Sequence, residues 1–290
     1  MFRGSIVALV TPFKEDFDID FEAYGRLIDW HLESGTDGLV PCGCTGEAAT
    51  LTHDEQIQCI KYTVERVAGR VPVIAGTGSN STREALSLTR KAKELGADAA
   101  LLITPYYNKP TPAGQMAHYT TIARQVDLPI VLYNVPGRTG TKMLPATIAD
   151  IHNAAENIVA VKEACGSVDQ VSEIRSLSDI TVLSGDDSLT LPMMSVGATG
   201  VISVAANILP ANVAAMCAAF AKGDVAEAQR LHYDLLPLVK GLFLETNPMP
   251  VKAALHRMGK INNVLRLPLV PMQPVLFEKL ERILGQVGAI

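Results

Sequence analysis

The stretch Ile158-Val159-Ala160-Val161-Lys162 is a run of four apolar residues that ends in a single cation, the lysine. Consecutive aliphatic residues predict a strand of a parallel sheet that is buried on both faces. A lysine held among aliphatic side chains loses hydration, so its pKa falls and the neutral amine can attack a carbonyl carbon to form a Schiff base. The structural alternative is a lysine at a solvated strand end that extends its ammonium group into water.

The run around residues 158–162 is one of eight with the same character. The other seven cover residues 6–10, 38–40, 71–75, 99–103, 129–133, 180–183 and 200–204. Their ends recur roughly every thirty residues at first and roughly every twenty later, and helical patterns fill the gaps, as a (β/α)8 barrel requires. The predicted fold is therefore α/β, a (β/α)8 TIM barrel with a C-terminal helical extension.

Polar caps indicate where the connecting helices begin. Thr52 with Glu55 and Ser81 with Glu84 each place a hydroxyl three residues before a carboxylate, which is the pattern of a capping box. Both pairs follow a predicted strand, so they predict helices that return along the outside of the barrel.

The last part of the chain shows helical spacing without a strand signal. Apolar residues from Asp224 onward recur at intervals typical of one helix face, and residues 251–258 and 275–284 look similar. No obvious linker precedes them. We therefore predict a (β/α)8 catalytic barrel over residues 1–223 and a C-terminal helical domain over residues 224–290 that packs against it.

The composition is typical of a soluble enzyme. The 290 residues are 48% hydrophobic, which is enough for a large core. A net charge of -5 with 19% charged residues offers no basic surface for nucleic acid. No stretch is long enough to cross a bilayer, and the first apolar run is too short for a signal peptide, so we expect a cytoplasmic protein without membrane or nucleic-acid partners.

The five cysteines are odd in number and scattered, which favours reduced thiols over a disulfide framework. Cys42 and Cys44 are close in sequence, but no second pair of cysteines or histidines stands at a spacing suitable for zinc. We therefore expect neither a metal nor a cofactor.

Polar residues follow several of the predicted strands. The carboxyl ends of barrel strands open into one shared mouth, where such barrels carry out chemistry. A nucleophilic amine there needs a proton shuttle, a donor for an anionic substrate and, if a second carboxylate must be held, an arginine. Beside Lys162, the residues Tyr133, Thr45 and Arg138 suit these three roles in turn.

Each of these side chains also has a purely structural interpretation. Tyr133 and Tyr107 would fit as packing aromatics at the barrel rim, and Thr45 as a cap of the next turn. Arg138 alone would usually be solvated. Glu163 has the opposite side-chain direction to the lysine before it, so we expect it to face the helical layer and to take no part in catalysis.

Several motifs carry a resemblance to a known family. In three motifs the chain resembles the pyruvate-dependent class I aldolases of the N-acetylneuraminate lyase superfamily. The motifs are Gly43-x-Thr45-Gly46-Glu47, Tyr133-Asn134-x-Pro136-x-x-Thr139-Gly140 and Val161-Lys162-Glu163. Within that superfamily the chain is most similar to the dihydrodipicolinate synthase family, in residues 75–78, 104–110, 183–187 and 247–252. The likeness covers nearly the whole chain, and Arg138 after Asn-Val-Pro-Gly is its most specific sign.

The resemblance implies an enzyme that uses pyruvate and L-aspartate 4-semialdehyde. Lys162 would condense with the keto group of pyruvate, and the resulting enamine would attack the aldehyde to give 4-hydroxy-tetrahydrodipicolinate, on the diaminopimelate route to lysine. Tyr133 matches the general acid/base, Thr45 the hydroxyl that holds the carboxylate of pyruvate, and Arg138 the anchor for the carboxylate of the semialdehyde. Two further positions match backbone contacts to the substrate, Gly185 and Ile202.

The resemblance also implies an assembly. Tyr107 matches a residue that enters the site of a neighbouring subunit and completes a hydroxyl relay with Tyr133, so at least a dimer is implied, and a homotetramer is usual. Cys44 stands where the family usually has a second threonine. Because a thiol is a weaker hydrogen-bond donor than a hydroxyl, we predict a working relay with a modest deficit.

Some members of this family are inhibited by lysine at a subunit interface. The matching positions are Ala49, His53, Gln56, Asn80, Glu84 and Tyr106. Glu84 also belongs to a predicted capping box, so its two uses compete, and Gln56 replaces an ionisable residue often found there. Lysine is therefore a candidate effector whose action the sequence leaves open.

Two other functions remain compatible with the sequence. Another pyruvate-dependent class I aldolase, of the sialic acid or 4-hydroxy-2-oxoglutarate type, would share Lys162 but would have no need of Arg138. A non-catalytic ligand-binding barrel would keep the fold and form no adduct. Borohydride trapping on Lys162 separates the enzymes from the binding barrel, and substrate preference separates the two enzymes.

Overall fold

The computed structural model describes residues 2–290. One sheet contains eight strands: β1 (Gly4–Ala8), β2 (Gly38–Val40), β3 (Ile74–Gly76), β4 (Ala99–Ile103), β5 (Ile130–Asn134), β6 (Ile158–Glu163), β7 (Thr181–Ser184) and β8 (Gly200–Ser203). Paired strands are parallel, in the order β2-β1-β8-β7-β6-β5-β4-β3. The eight apolar runs of the sequence are thus the eight strands.

The two strands at the ends of this order meet, which closes the sheet. Leu39 on β2 forms a parallel bridge with Val73, next to β3. The Leu39 N–H donates to the Pro72 carbonyl at 3.0 Å, and the Gly76 N–H donates to the Pro41 carbonyl at 2.9 Å. The (β/α)8 barrel predicted from strand spacing is therefore confirmed.

Helices cover the outside of the barrel and make up the end of the chain. They are α1 (Phe21–Glu33), α2 (His53–Val67), α3 (Thr82–Glu94), α4 (Pro112–Gln125), α5 (Pro136–Thr139), α6 (Pro145–Asn153), α7 (Val168–Leu177), α8 (Thr190–Ser195), α9 (Pro210–Ala221), α10 (Val225–Gly241), α11 (Met249–Arg257) and α12 (Pro274–Gln286). Short 3-10 turns cover Ala48–Thr50, Asp187–Leu189 and Ala205–Asn207. Within residues 2–290, none of the helices has both the length and the apolar character that crossing a membrane requires.

The capping box predicted at the start of α2 is present. The Thr52 N–H donates to Glu55 Oε2 at 2.7 Å, and the Glu55 N–H donates to Thr52 Oγ1 at 3.2 Å. These two bonds satisfy backbone donors that have no partner inside the helix.

Two local details differ from the sequence prediction. β3 begins at Ile74, later than predicted, because Pro72 has no N–H to donate and the Val73 N–H donates to Asp98 Oδ2 at 2.8 Å rather than to a neighbouring strand. Ser81 accepts from the Glu84 N–H at 3.5 Å, but the Glu84 carboxylate accepts from Ser79 Oγ at 2.8 Å, and Ser79 Oγ accepts from the Ser81 N–H at 3.0 Å. The capping box predicted for Ser81 and Glu84 is therefore wrong in its second half, since the Ser79 hydroxyl replaces the carboxylate.

Side-chain alternation divides the apolar residues into an interior cluster and an outer layer. The interior cluster includes Ala160 on β6 and Ile202 on β8, whereas Val161 belongs to the layer between sheet and helices. Successive residues of a strand point to opposite faces, so Lys162 follows Ala160 into the barrel and Glu163 follows Val161 toward the helices. The position of the lysine inside the barrel thus follows from the phase of one strand.

The C-terminal helices pack on the barrel helices and on each other, with α10 against α9 and α12, and α11 against α12. The division of the chain into a domain over residues 1–223 and a domain over 224–290 stays a prediction. This region also contacts the barrel mouth: Lys252 Nζ on α11 lies 2.5 Å from Glu47 Oε1, and both side chains are fully buried. Lys252 Nζ also donates to the Thr11 carbonyl at 3.0 Å.

The second oxygen of Glu47 has a partner from the same region. Glu47 Oε2 accepts from the Arg266 N–H at 3.2 Å. The Arg266 guanidinium donates to both carboxylate oxygens of Glu55, at 2.8 and 2.6 Å, and this hydrogen bonding lowers the pKa of Glu55 to about 2. The loop after β2 and the start of α2 are thus both bound to the C-terminal region by hydrogen bonds and ion pairs.

Removing one partner of the buried ion pair should destabilise the protein strongly. Lys252→Met leaves the Glu47 carboxylate buried beside an apolar group, and we expect a loss of about 3–5 kcal/mol in the free energy of unfolding. Urea denaturation measures it. Lys61→Met is the matched control, since Lys61 and Glu65 are 3.8 Å apart with side chains 58% and 64% exposed, and should change stability by less than about 1 kcal/mol.

Adding Glu47→Gln to Lys252→Met removes the unpaired charge. This double variant should recover part of the lost stability, because a buried charge without its partner costs more than a neutral amide. Equal losses in the Lys252 and Lys61 variants would show that the buried pair contributes no more than an exposed one.

Candidate active site

Lys162 lies near the carboxyl end of β6 with 5% of its surface exposed. In the sheet it is paired with Tyr133 on β5 and with Leu183 on β7. Its Nζ lies 4.3 Å from the centre of the Tyr133 ring. The amine is therefore inside the barrel rather than in bulk solvent.

Burial lowers the pKa of Lys162 to about 8, because the charged form loses its hydration. Electrostatic interactions with Cys44, Asp187 and Asp186 oppose this shift, and the positive charge of Arg138 adds to it. An amine with this pKa is neutral in roughly one molecule in ten at pH 7, against fewer than about one in a thousand for an ordinary lysine. The site therefore supplies a nucleophilic amine at neutral pH.

Two aspartates after β7 set the charge around the amine, a role that the sequence analysis did not assign to them. Asp187 is buried and accepts hydrogen bonds from Ser203 Oγ at 2.5 Å and from the backbone N–H groups of Val204 and Ala205 at 2.9 and 3.0 Å. Burial raises the pKa of Asp187 and also that of Asp186, which the Lys162 charge lowers in turn. In the sequence, this role could have been inferred from the two adjacent acidic residues directly after a predicted strand.

A cavity of about 80 Å³ lies beside Lys162, with room for a small molecule or several waters. It brings together six residues predicted from the sequence: Lys162, Tyr133, Cys44, Thr45, Arg138 and Gly185. Asp186, Phe243 and Asn247 also line it. Strands β2, β5, β6 and β7 and the segment before α11 therefore all contribute to one site.

Tyr133 is 7% exposed, and burial raises the pKa of its phenol well above the ordinary value. A hydrogen bond with the Cys44 side chain acts in the same direction, whereas the Arg138 charge lowers the pKa. The phenol thus keeps its proton at neutral pH. It can donate that proton to an oxygen that develops negative charge.

Thr45 and Arg138 are joined by a residue whose role the sequence analysis missed. Asn247 Nδ2 donates to Thr45 Oγ1 at 2.9 Å, and Arg138 Nη2 donates to the Asn247 backbone carbonyl at 2.9 Å. Asn247 is 4% exposed. In the sequence, Asn247 stood out as part of the family motif at residues 247–252, but no sequence pattern assigned a role to that motif.

Gly185 gives Lys162 the space it occupies. A Cβ atom at Gly185 would lie 3.1 Å from Lys162 Cε and 2.5 Å from Ala164 Cβ. The Gly185 N–H donates to the Glu163 carbonyl at 2.7 Å, which fixes the backbone beside the amine. Ile202, the other residue predicted to make backbone contacts, is fully buried in the interior cluster and does not line the cavity.

Glu163 faces the helical layer, as predicted. Its carboxylate accepts from Gln170 Nε2 on α7 at 2.8 Å, from Asn134 Nδ2 at 3.0 Å and from the Cys165 N–H at 2.9 Å. Burial raises its pKa. This carboxylate therefore holds β6 against β5 and α7 and lies outside the cavity.

Known proteins match this chain over its whole length. The model of the dihydrodipicolinate synthetase family matches residues 1–287. The chain belongs to the dihydrodipicolinate synthetase family. A relative from Maridesulfovibrio salexigens, named 4-hydroxy-tetrahydrodipicolinate synthase, is 54% identical over 291 residues that cover 100% of this chain and 99% of the relative.

Solved structures of the dihydrodipicolinate synthetase family share the fold closely. The Acinetobacter baumannii dihydrodipicolinate synthase, described as chloride-inhibited and complexed with pyruvate, is 46% identical, covers 100% of both chains and superimposes with a TM-score of 0.98. The Cyanidioschyzon merolae protein, described as having lysine bound, is 40% identical, covers 100% of this chain and 99% of its own and has a TM-score of 0.97. A variant described as monomeric is 45% identical over 100% of this chain and 98% of its own, with a TM-score of 0.97.

Tyr107, which the family resemblance assigns to a neighbouring subunit's site, lies outside the cavity of its own chain. Its side chain is 90% exposed, and its backbone has a φ of 70°. A positive φ is unfavourable for an aromatic residue, so the surrounding loop holds this tyrosine in an outward position.

The positions that match the lysine site of the synthetase family lie mostly in a second cavity of about 520 Å³. Those that line it are Ala49, His53, Gln56, Glu84 and Tyr106. Asn80 is adjacent, since its Nδ2 donates to the Tyr106 carbonyl at 3.2 Å. Gln56 donates to the Ala48 carbonyl at 3.1 Å, so its amide is engaged in holding the loop. Tyr133, Arg138 and Asn247 border both cavities.

Within the described part of the chain, no group of three or more histidine, cysteine or acidic residues could hold a metal ion.

The lowered pKa of Lys162 should appear as a pH profile of its reactivity. Only the neutral amine reacts with formaldehyde, so reductive methylation by formaldehyde and cyanoborohydride should rise with pH and be half-maximal near pH 8 at Lys162. Ordinary lysines should still be gaining reactivity near pH 10. Peptide mass spectrometry measures each lysine separately, and a Lys162 profile parallel to those of surface lysines would contradict the assigned pKa.

Proposed function

We propose that this chain acts as a 4-hydroxy-tetrahydrodipicolinate synthase, which condenses pyruvate with L-aspartate 4-semialdehyde. The observation that carries the proposal is a buried lysine amine with a pKa of about 8 in one cavity with Tyr133, Thr45 and Arg138. The name carried by relatives that match over the full chain supports it.

The first half of the reaction forms the nucleophile. The neutral Lys162 amine attacks the keto carbon of pyruvate, Tyr133 protonates the departing oxygen, and water leaves to give an iminium. Loss of a proton from the methyl carbon converts the iminium to an enamine. The Thr45 hydroxyl donates to the carboxylate of pyruvate and so orients the keto carbon toward Nζ.

The second half forms the carbon–carbon bond. The enamine carbon attacks the aldehyde carbon of the semialdehyde, and the aldehyde oxygen takes up a proton to become the hydroxyl of the product. Arg138 holds the carboxylate of the semialdehyde with the N–H groups that it does not direct to Asn247. Release from Lys162 and ring closure then regenerate the free amine. The backbone at Gly185 is proposed to contact the bound substrate, and the contact at Ile202, which lies outside the lining of the cavity, stays a prediction.

The proposal requires a covalent adduct on one residue. Pyruvate with borohydride should modify Lys162 in the native chain and leave Lys162→Met unmodified, as read by peptide mass spectrometry. Product formation from pyruvate and L-aspartate 4-semialdehyde should fall at least about 10³-fold in that variant, because no other side chain supplies a desolvated amine in the cavity. Arg138→Ala is the second arm and should raise the KM for the semialdehyde while trapping of pyruvate persists.

The outcomes separate the competing functions. An adduct with pyruvate but turnover of acyl sugars instead of the semialdehyde would identify another pyruvate aldolase. A native chain without any adduct would be a binding barrel.

The proton relay contains a thiol at Cys44, which hydrogen-bonds the Tyr133 side chain. A hydroxyl is the better donor, so Cys44→Thr should keep turnover the same or raise it a few-fold. Steady-state kcat measures this, and Cys217→Thr is the control, because Cys217 is a buried thiol on α9 that lines neither cavity. A large fall in kcat at position 44 alone would show that the thiol has a role of its own.

The relay is proposed to be completed by Tyr107 of a second subunit, in a homotetramer. The exposure of Tyr107 and its positive φ support this, since an outward tyrosine held by its loop suits insertion into another chain. Sedimentation of the purified protein tests the assembly, for which the chain mass of 31.0 kDa sets the scale.

Lysine is proposed as an effector at the second cavity, where Glu84 and His53 offer polar contacts beside Tyr106. A titration of activity with lysine tests this. A location in the cytoplasm stays a prediction.

A further inference from the structure

Asn247 touches both residues that are proposed to hold substrate carboxylates. Its side chain donates to Thr45 Oγ1, and its backbone carbonyl accepts from Arg138, each at 2.9 Å. It borders the cavity at Lys162 as well as the larger cavity beside it. It thus lies between the two halves of the site without being one of the reacting groups.

On the basis of the proposed function, we propose that Asn247 is a positioning residue that turns the Thr45 hydroxyl into a hydrogen-bond donor for the carboxylate of pyruvate. A hydroxyl has one hydrogen and can also accept. Because Thr45 Oγ1 accepts from Asn247 Nδ2, its own hydrogen is free to point elsewhere. An acceptor in the place of Nδ2 would take that hydrogen and leave an oxygen lone pair facing the anion.

The other half of the Asn247 amide supports this role. Asn247 Oδ1 is buried and has no hydrogen-bond partner among the described residues. A buried acceptor without a donor is unfavourable, so this side chain does not act as a general bridge that stabilises the loop. The one bond that its amide makes is the bond to Thr45.

Two connections fix the distance between Asn247 and Thr45. Asn247 lies two residues before the start of α11, and Lys252 on α11 is paired with Glu47, two residues after Thr45. The distance between the Asn247 amide and the Thr45 hydroxyl is therefore fixed by a buried ion pair as well as by their own hydrogen bond. A donor held in advance in this way loses little freedom when the anion arrives.

The hydrogen bond from Arg138 to Asn247 provides an internal control, because it ends on the backbone of Asn247 and not on its side chain. Arg138 donates to the backbone carbonyl of Asn247, which a side-chain substitution leaves in place. A change at position 247 should therefore act on pyruvate and spare the semialdehyde.

The first test is Asn247→Asp, which keeps the shape and replaces the donor with a negatively charged acceptor. The pyruvate concentration that half-saturates borohydride trapping should rise about tenfold or more, while the KM for L-aspartate 4-semialdehyde at saturating pyruvate changes less than about twofold. Asn157→Asp is the control: Asn157 is partly buried, its Nδ2 donates to the Ala123, Val126 and Leu128 carbonyls outside the cavity, and the loss of these bonds should lower the melting temperature rather than weaken pyruvate binding.

The second test asks whether Asn247 acts through Thr45. Asn247→Ala should weaken pyruvate about fivefold in the native background and have almost no effect in a Thr45→Val background, because the hydroxyl to be oriented is gone. Equal effects in both backgrounds would overturn the proposal, as would parallel losses for both substrates in Asn247→Asp. If the native chain forms no pyruvate adduct, the proposed function itself fails, whereas a native adduct with unchanged variants overturns only the role of Asn247.

Discussion

The buried ion pair between Glu47 and Lys252 is the contact on which the geometry of the barrel mouth depends. Glu47 has a left-handed backbone, with φ of 55° and ψ of 34°, and this conformation ends the loop that carries Cys44 and Thr45. Two charges removed from water are tolerable only while each satisfies the other. The pair therefore fixes the loop after β2 and the start of α11 at one distance, and the C-terminal helices form a wall of the site.

Burial lowers the pKa of both buried lysines, Lys162 and Lys252, but their neighbours differ. Lys252 donates hydrogen bonds to a carboxylate oxygen at 2.5 Å and to a carbonyl oxygen at 3.0 Å, and its Nζ lies 4.2 Å from the centre of the Phe13 ring. Lys162 makes no comparable ion pair within residues 2–290, and its neighbours are the Tyr133 ring and the more distant charges of Asp186 and Asp187. Desolvation without a contact charge leaves the Lys162 amine free to react.

The sequence predicted what depends on local patterns. The apolar runs identified the eight strands, because a strand buried on both faces must be continuously apolar, and alternation gave the directions of Lys162 and Glu163. The role of Asn247 could not be predicted, since it lies 202 residues from Thr45 and their contact depends on tertiary packing. The hydrogen bond between the Ser79 hydroxyl and the Ser81 N–H could not be predicted either, because this hydroxyl competes with the Glu84 carboxylate only in the folded loop.

The barrel is closed by the bridge between Leu39 and Val73 and by the hydrogen bond from the Gly76 N–H to the Pro41 carbonyl, whereas β5 and β6 share an extended ladder. Segments held by few backbone bonds open at lower free energy than the strands around them. The amide hydrogens of β2 and β3 are therefore expected to exchange with solvent sooner than those of β5 and β6. The extended ladder carries the amine and the phenol, whereas the loop with Thr45 follows the sparsely bonded seam and depends on the contacts of Glu47 with Lys252 and of Thr45 with Asn247 for its position.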